Sequence, residues 1–348
     1  MNMKTFRYNK LPLYLKYCMQ LKSIFYTAIF ISTSFYLASC GNDSTSNNSE
    51  EEIVKLVQNP VSNFSQDSAY AFIEKQLSFG FRVSGTPEHL KCANWLFQKL
   101  GSYTDTVIFQ KGSATTYNKK QIPVYNIIGS FNPKATKRIL LASHWDSRPW
   151  ADADDNNTEK PILAANDGAS GVAVLLEIAR NLSKNKPDLG IDIIFFDAED
   201  YGKSEHENSF CLGSQYWGKN LHVPNYTAHF GILLDMVGGK NAQFMWEEGS
   251  NTWANFALVH TWAVANELGH GAYFVNAPIG QIIDDHKYVY DATKIPMIDI
   301  IQYDPQNGFA PYWHTHDDNL ESIDKNTLFA VGHTIENVIF TPPPSIAY

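Results

Sequence analysis

The chain has 348 residues and sets 27 Lys and Arg against 36 Asp and Glu, a formal charge of −9. That acidic balance argues against nucleic acid or an anionic membrane surface as a partner. Four cysteines at this length do not make a disulfide scaffold, while 44% apolar and 14% aromatic residues are enough for a large folded core.

Residues 1–39 carry Lys4, Arg7, Lys10, Lys16 and Lys22 and no acid, and end in the apolar run SIFYTAIFISTSFYLAS. A basic start, an apolar middle and small residues at the end predict a secretory leader. The basic region is long, so Met19 is a second candidate start. LASC at 37–40 resembles the bacterial lipobox, which implies lipidation of Cys40 and an exported, membrane-anchored lipoprotein, periplasmic or on the cell surface. A plain transmembrane anchor is the alternative. Without the leader, 22 basic residues face 36 acids, a charge of −14. Residues 40–65, which include GNDSTSNNSEEE, read as a flexible tether, and 66–348 as one catalytic domain. Cys92 and Cys211 read as two buried free thiols, with a disulfide between them as the alternative.

Along the domain, VYNIIGSF (124–131) and RILLASHWDS (138–147) predict strands, followed by a polar loop over 148–163. GASGVAVLLEIARNLSK (168–184) is helical, with Val172, Leu175, Leu176 and Ala179 on one face. Strands follow at 191–197, 228–239 and 295–303, with a helix at 252–269 and a closing helix at 325–341. Strands without polar alternation, interleaved with helices, predict a single α/β domain. Its central sheet is mixed but mostly parallel, and helices cover both faces.

The unusual polar residues cluster at one edge of that sheet. IDIIFFDAEDYG (191–202) drives a core strand into Asp197, Glu199 and Asp200. Burying such charge costs several kcal/mol unless it is paired, so a cation is expected there. His144 and Asp146 end another strand, Asn166 and Asp167 open the following helix, and Asp235 ends a third strand. DDH (284–286) and WHTHDDN (313–319) are placed in loops beside the last strand. One acid at a helix start is usually a cap. Five converging segments of carboxylate and imidazole, without cysteine, suit zinc. DADDNN (152–157) lacks the Gly and Glu of a calcium loop and reads as a solvated acidic loop. His316 reads as outlying or surface, and the remaining histidines, His89 among them, as ordinary. Trp150 and Tyr201 either line the mouth or pack in the core.

SHWDS (143–147), ANDGASGVAVLLEIAR (165–180), FFDAEDYG (195–202), GSQYW (213–217), LLDMVGG (233–239) and WHTHDD (313–318) appear in this order. As a set they resemble the zinc-exopeptidase superfamily, and within it most resemble the animal-type glutaminyl cyclases, which bacteria of the Bacteroides group also carry. The resemblance covers residues 70–340. It implies cyclisation of N-terminal Gln of peptides or proteins to pyroglutamate, with ammonia released, by a monomer holding one zinc ion. It implies Asp167, Asp200 and His314 as metal ligands and Glu199 as general acid and base. Asp284 would hydrogen-bond the leaving nitrogen, with Asp235 coupled to it. Trp313, Phe309 and Ile282 would wall the substrate pocket. Asp200 stands where the animal enzymes carry Glu, so the ion is expected deeper or held at one oxygen. The animal disulfide has no counterpart.

Two other readings stay open. A two-zinc aminopeptidase would use His144, Asp167, Glu199, Asp200, Asp235 and His314, all present, with His144 as a second-metal ligand rather than an outlying partner. The Asp284–Asp285 pair and Trp313 beside His314 favour the cyclase. A non-catalytic peptide-binding lipoprotein would have no use for Glu199.

Overall fold

The computed structural model describes residues 62–347. The leader, Cys40 and residues 40–61 of the expected tether lie outside the described residues. Packing begins ahead of residue 66, because Ser62 donates to Glu336 at 2.6 Å and Phe64 is buried against Gly332. Helix α1 (Gln66–Leu77) opens on Ser65 and α2 (Pro87–Gly101) on Thr86, each cap accepting a backbone N–H of the first turn.

The strands are β1 (Thr106–Thr115), β2 (Gln121–Phe131), β3 (Arg138–His144), β4 (Gly190–Phe196), β5 (Phe230–Asp235), the short β6 (Phe244–Trp246) and β7 (Phe274–Pro278), and β8 (Met297–Ile301). Between and after them lie α3 (Ala169–Leu182), α4 (Leu212–Lys219), α5 (Glu248–Glu267), α6 (Asp285–Thr293), α7 (Lys325–Phe340) and α8 (Pro344–Ala347). Six strands form one sheet in the order β1-β2-β4-β3-β5-β8, and β6 pairs with β7 separately. Strands β4, β3, β5 and β8 run parallel, and β2 and β1 continue the sheet antiparallel.

The apolar runs are buried throughout because both faces are covered. Leu141, Ile193, Phe195, Ile232 and Ile298 turn to a core shared with α1, α2, α3, α5 and α7. Leu140, Ile194, Phe196, Leu233 and Met297 turn to the opposite face, where Trp217 of α4 and Val289 of α6 pack. The period-two alternation is therefore between two cores, not between core and water.

Register brings the polar strand ends level. His144 pairs with Phe196, and Ala142 pairs with Leu233, so His144 and Asp235 leave the sheet side by side. Helix α3 carries Asp167 just ahead of its first turn. A Cβ on Gly171 would lie 2.3 Å from the Leu234 carbonyl and 2.4 Å from Ser143 Oγ, so the helix rests directly on β3 and β5 there.

Several boundaries differ from the sequence reading. Strand β5 stops at Asp235, not 239, because Met236 takes a left-handed backbone with φ of 49°. Helix α5 starts at 248, capped by the Glu247 carboxylate on the Gly249 and Ser250 amides. Residues 284–286 are not loop: Asp284 caps α6, and Asp285 and His286 lie in its first turn. Helices α4 and α6, of 8 and 9 residues, are too short to show a period. Cys92 and Cys211 are both free and buried. No helix among the described residues is long and apolar enough to cross a membrane.

Two outcomes follow. Gly171→Ala must push α3 off the sheet, costing about 1–3 kcal/mol, read as a lowered denaturant midpoint. His270 faces His333 at 2.9 Å, and burial together with that neighbour pushes its pKa down from 6.5 to about 4. The unfolded chain therefore takes up this proton first as pH falls below 6.5, so stability is lost between 6.5 and about 4. A His270→Gln variant should show a shallower loss across that window in melting scans.

Candidate metal and catalytic site

The turn after β4 separates the three acids. Ala198 takes a left-handed backbone with φ of 52°, which sends Asp197 back into the protein. There it meets His89 Nε2 at 2.8 Å and accepts the amides of Tyr125 and Ala198 at 2.6 and 2.7 Å. The partner of Asp197 is thus an imidazole from α2, which the sequence reading treated as ordinary. Glu199 and Asp200 face the other way, into the site.

Asp167, Asp200 and His314 come together, with one potential ligand atom from each lying within 4.8 Å of the others. His314 Nε2 is 3.3 Å from Asp200 Oδ1 and 3.7 Å from Asp167 Oδ2. Arg148 donates to Asp200 Oδ1 at 2.6 Å, while Asp200 Oδ2 is buried with no hydrogen-bond partner. A buried carboxylate oxygen without a partner is costly, and a cation facing it relieves that cost. The donor set of two carboxylates and an imidazole fits zinc.

The surrounding side chains hold these three in place. His314 Nδ1 meets Asp152 Oδ1 at 3.2 Å, and Arg148 clamps both oxygens of Asp152 at 2.7 and 2.6 Å. Against the burial that would raise it, the bonds from His314 and Arg148 hold the Asp152 carboxyl well below its ordinary range. The DADDNN segment is exposed at every residue but Asp154, as a solvated loop is, yet its Asp152 reaches His314 and Arg148, and its Asp154 accepts from His316 at 2.8 Å. Two further aspartates grip backbone amides. Asp318 accepts from Asn166 at 2.7 Å and Asp167 at 3.0 Å. Asp146 accepts from Glu199 at 3.0 Å and Asp200 at 3.3 Å.

Beside this triad lies a second group. His144 Nε2 reaches Asp167 Oδ1 at 3.0 Å and Asp235 Oδ1 at 3.1 Å. Asp235 therefore bonds to His144 and acts on Asp284 only through space, where burial and then Asp235 hold the Asp284 carboxyl well above its usual range. Glu199, Cys211 and Asp284 form a third group within 4.8 Å. Burial, opposed by His144 and reinforced by Asp200, Asp284 and Asp285, holds the Glu199 carboxyl well above the ordinary value.

These groups open on a cavity of about 500 Å3 that also meets Ile282, Phe309 and Trp313. Trp313 stacks on His314 at 3.5 Å between ring centres and on Phe309 at 4.7 Å. Trp150 and Tyr201 pack edge to face beside the cavity and are absent from its wall. The sequence reading missed Arg148, Asp152, Asp318 and Cys211 as parts of the site. Arg148 follows directly on the SHWDS strand end, Asp152 lies in DADDNN and Asp318 in WHTHDDN, whereas Cys211 left no trace.

Comparison with known proteins gives three results. Residues 126–339 match the pattern of peptidase family M28. The bovine glutaminyl-peptide cyclotransferase is 28% identical over 236 residues, which cover 58% of this chain and 62% of the bovine protein, less than two thirds of its length. The crystal structure of Tannerella forsythia glutaminyl cyclase is 50% identical, covering 80% of this chain and 99% of that one with a TM-score of 0.78. That of a Zn-dependent exopeptidase from Parabacteroides distasonis is 49% identical, with 80% and 99% coverage and a TM-score of 0.79.

Asp152 holds the His314 imidazole, and such partners of a metal-binding histidine are worth about 10–100-fold in metal affinity. Asp152→Ala is expected to weaken zinc binding by that factor in a chelator competition titration.

Proposed function

We propose, from the premise that this chain belongs to peptidase family M28, that it cyclises N-terminal glutamine of peptides or proteins to pyroglutamate and releases ammonia. The observation that carries this reading is the pairing of Glu199 with Asp284, whose Oδ2 is buried and unpartnered, in a cavity walled by Trp313, Phe309 and Ile282. A peptidase has no need of that second acid.

In the reaction the substrate's α-amine attacks its own γ-carbonyl carbon, the new C–N bond closes the ring, and the amide nitrogen leaves as ammonia. The nucleophile is already tethered, so holding a bent conformer is most of the work. Trp313, Phe309 and Ile282 enclose the side chain and exclude water, which would otherwise hydrolyse the amide. Glu199 takes the proton from the amine and delivers it to the departing nitrogen. A carboxyl held above its usual range suits that double role. Asp284 accepts a hydrogen bond from the same nitrogen. Asp167, Asp200 and His314 would hold zinc, which would supply Lewis acidity toward the γ-carbonyl.

One ion per chain is the stoichiometry we propose; Arg148 donates to Asp200 Oδ1, and Asp200 Oδ2 is left without a hydrogen-bond partner. The nearness of His144, Asp167 and Asp235 favours one rival, a two-zinc aminopeptidase. The proposal extends to the whole chain as an exported monomer with a leader over 1–39, a tether from 40, a lipid on Cys40 and a zinc-dependent catalytic domain up to 348. The LASC motif supports the anchor.

A glutaminyl dipeptide should yield ammonia with no free amino acid, and a chelator should abolish the reaction until zinc is returned. Release of the first residue, with two zinc ions per chain by mass spectrometry, would establish the peptidase instead. Glu199→Gln should lower turnover about 100-fold or more with metal content unchanged.

A further inference from the structure

Cys211 grips Glu199 at both ends. Its backbone N–H donates to the Glu199 carbonyl at 2.8 Å, while its thiol donates to Glu199 Oε1 at 3.2 Å. The adjoining Leu212 N–H closes on the Ala198 carbonyl at 3.0 Å, tying the segment before α4 to the turn after β4. The thiol is fully buried, and the residue stands in the left-handed region at φ of 56°, a conformation that costs energy for a side chain of this size. Among the described residues, no other side chain is hydrogen-bonded to the Glu199 carboxylate. The nearest buried arginine, Arg148, is engaged by Asp200 and Asp152. The third member of the group, Asp284, turns an unpartnered buried oxygen into the same space.

We propose that Cys211 is a positioning residue for the reaction assigned above: its thiol fixes Oε1 of Glu199 and leaves Oε2 aimed at the reacting nitrogen. This rests on the cyclase reading for its substrate but not for its geometry. A thiol is a weak donor that orients without taking the charge. Burial among Glu199, Asp285 and Asp284 holds the thiol well above its ordinary pKa, which removes it as a nucleophile or thiolate ligand.

The test compares the wild-type chain with Cys211→Ala and Cys211→Ser. Loss of the donor in Cys211→Ala should lower kcat about tenfold, with KM held within about twofold. The hydroxyl of Cys211→Ser should restore kcat to within about threefold. Infrared difference spectra of wild type minus Cys211→Ala isolate one S–H stretching band. It should lie below the frequency of a free thiol and rise in Glu199→Ala. Wild-type kcat in Cys211→Ala, equal losses in both cysteine variants, or an S–H band indifferent to Glu199 would each overturn the proposal. A wild-type chain that releases no ammonia while the band still responds to Glu199 would remove the cyclase reading and support the thiol–carboxylate contact.

Discussion

Everything at the site follows from crowding carboxylates where parallel strands end. Asp146, Asp167, Asp200, Asp235, Asp284 and Asp318 are all buried. Left to themselves, such groups would repel one another and stay protonated. The fold disposes of them in three ways. Asp146 and Asp318 are answered by backbone amides, and Asp200 by Arg148. What remains uncompensated is concentrated beside His144 and His314, where a divalent ion can answer several carboxylates at once. The metal centre is thus the remainder of a local charge balance that the chain has mostly settled by itself.

The sheet was largely legible because its physics is local. A strand buried on both faces is mostly apolar, and β3, β4, β5 and β8 are, with Asp192 and Asp299 as buried exceptions inside β4 and β8. The acids stood out because each interrupts such a run. The hairpin β1–β2 was less visible: β1 is half exposed along its length, and no continuous apolar run marks it. Helix α6 was hidden because its first turn carries Asp285 and His286, residues that suggest a loop when read without the cap at Asp284.

Which acid serves which purpose was harder to read. Asp197 and Asp200 are three residues apart on one turn, yet one faces His89 and the other faces the cavity, since Ala198 reverses the chain between them. Asp152 looked like a solvated acid because His314, which ties it to the site, comes from a loop more than 150 residues away, although Arg148 stands four residues before it. Cys211 carried no sequence signal at all. Its meaning depends on an atom of Glu199 twelve positions earlier and on a left-handed backbone that its residue type does not announce.

The contact at Gly171 has a wider consequence. With no side chain between α3 and the strands beneath it, the height of Asp167 above the sheet is a backbone-to-backbone distance. Methylene-sized adjustments in the cores elsewhere have no spacer here through which to act. The level of Asp167 is therefore set by the contact of α3 with β3 and β5, as though bolted to the floor of the protein.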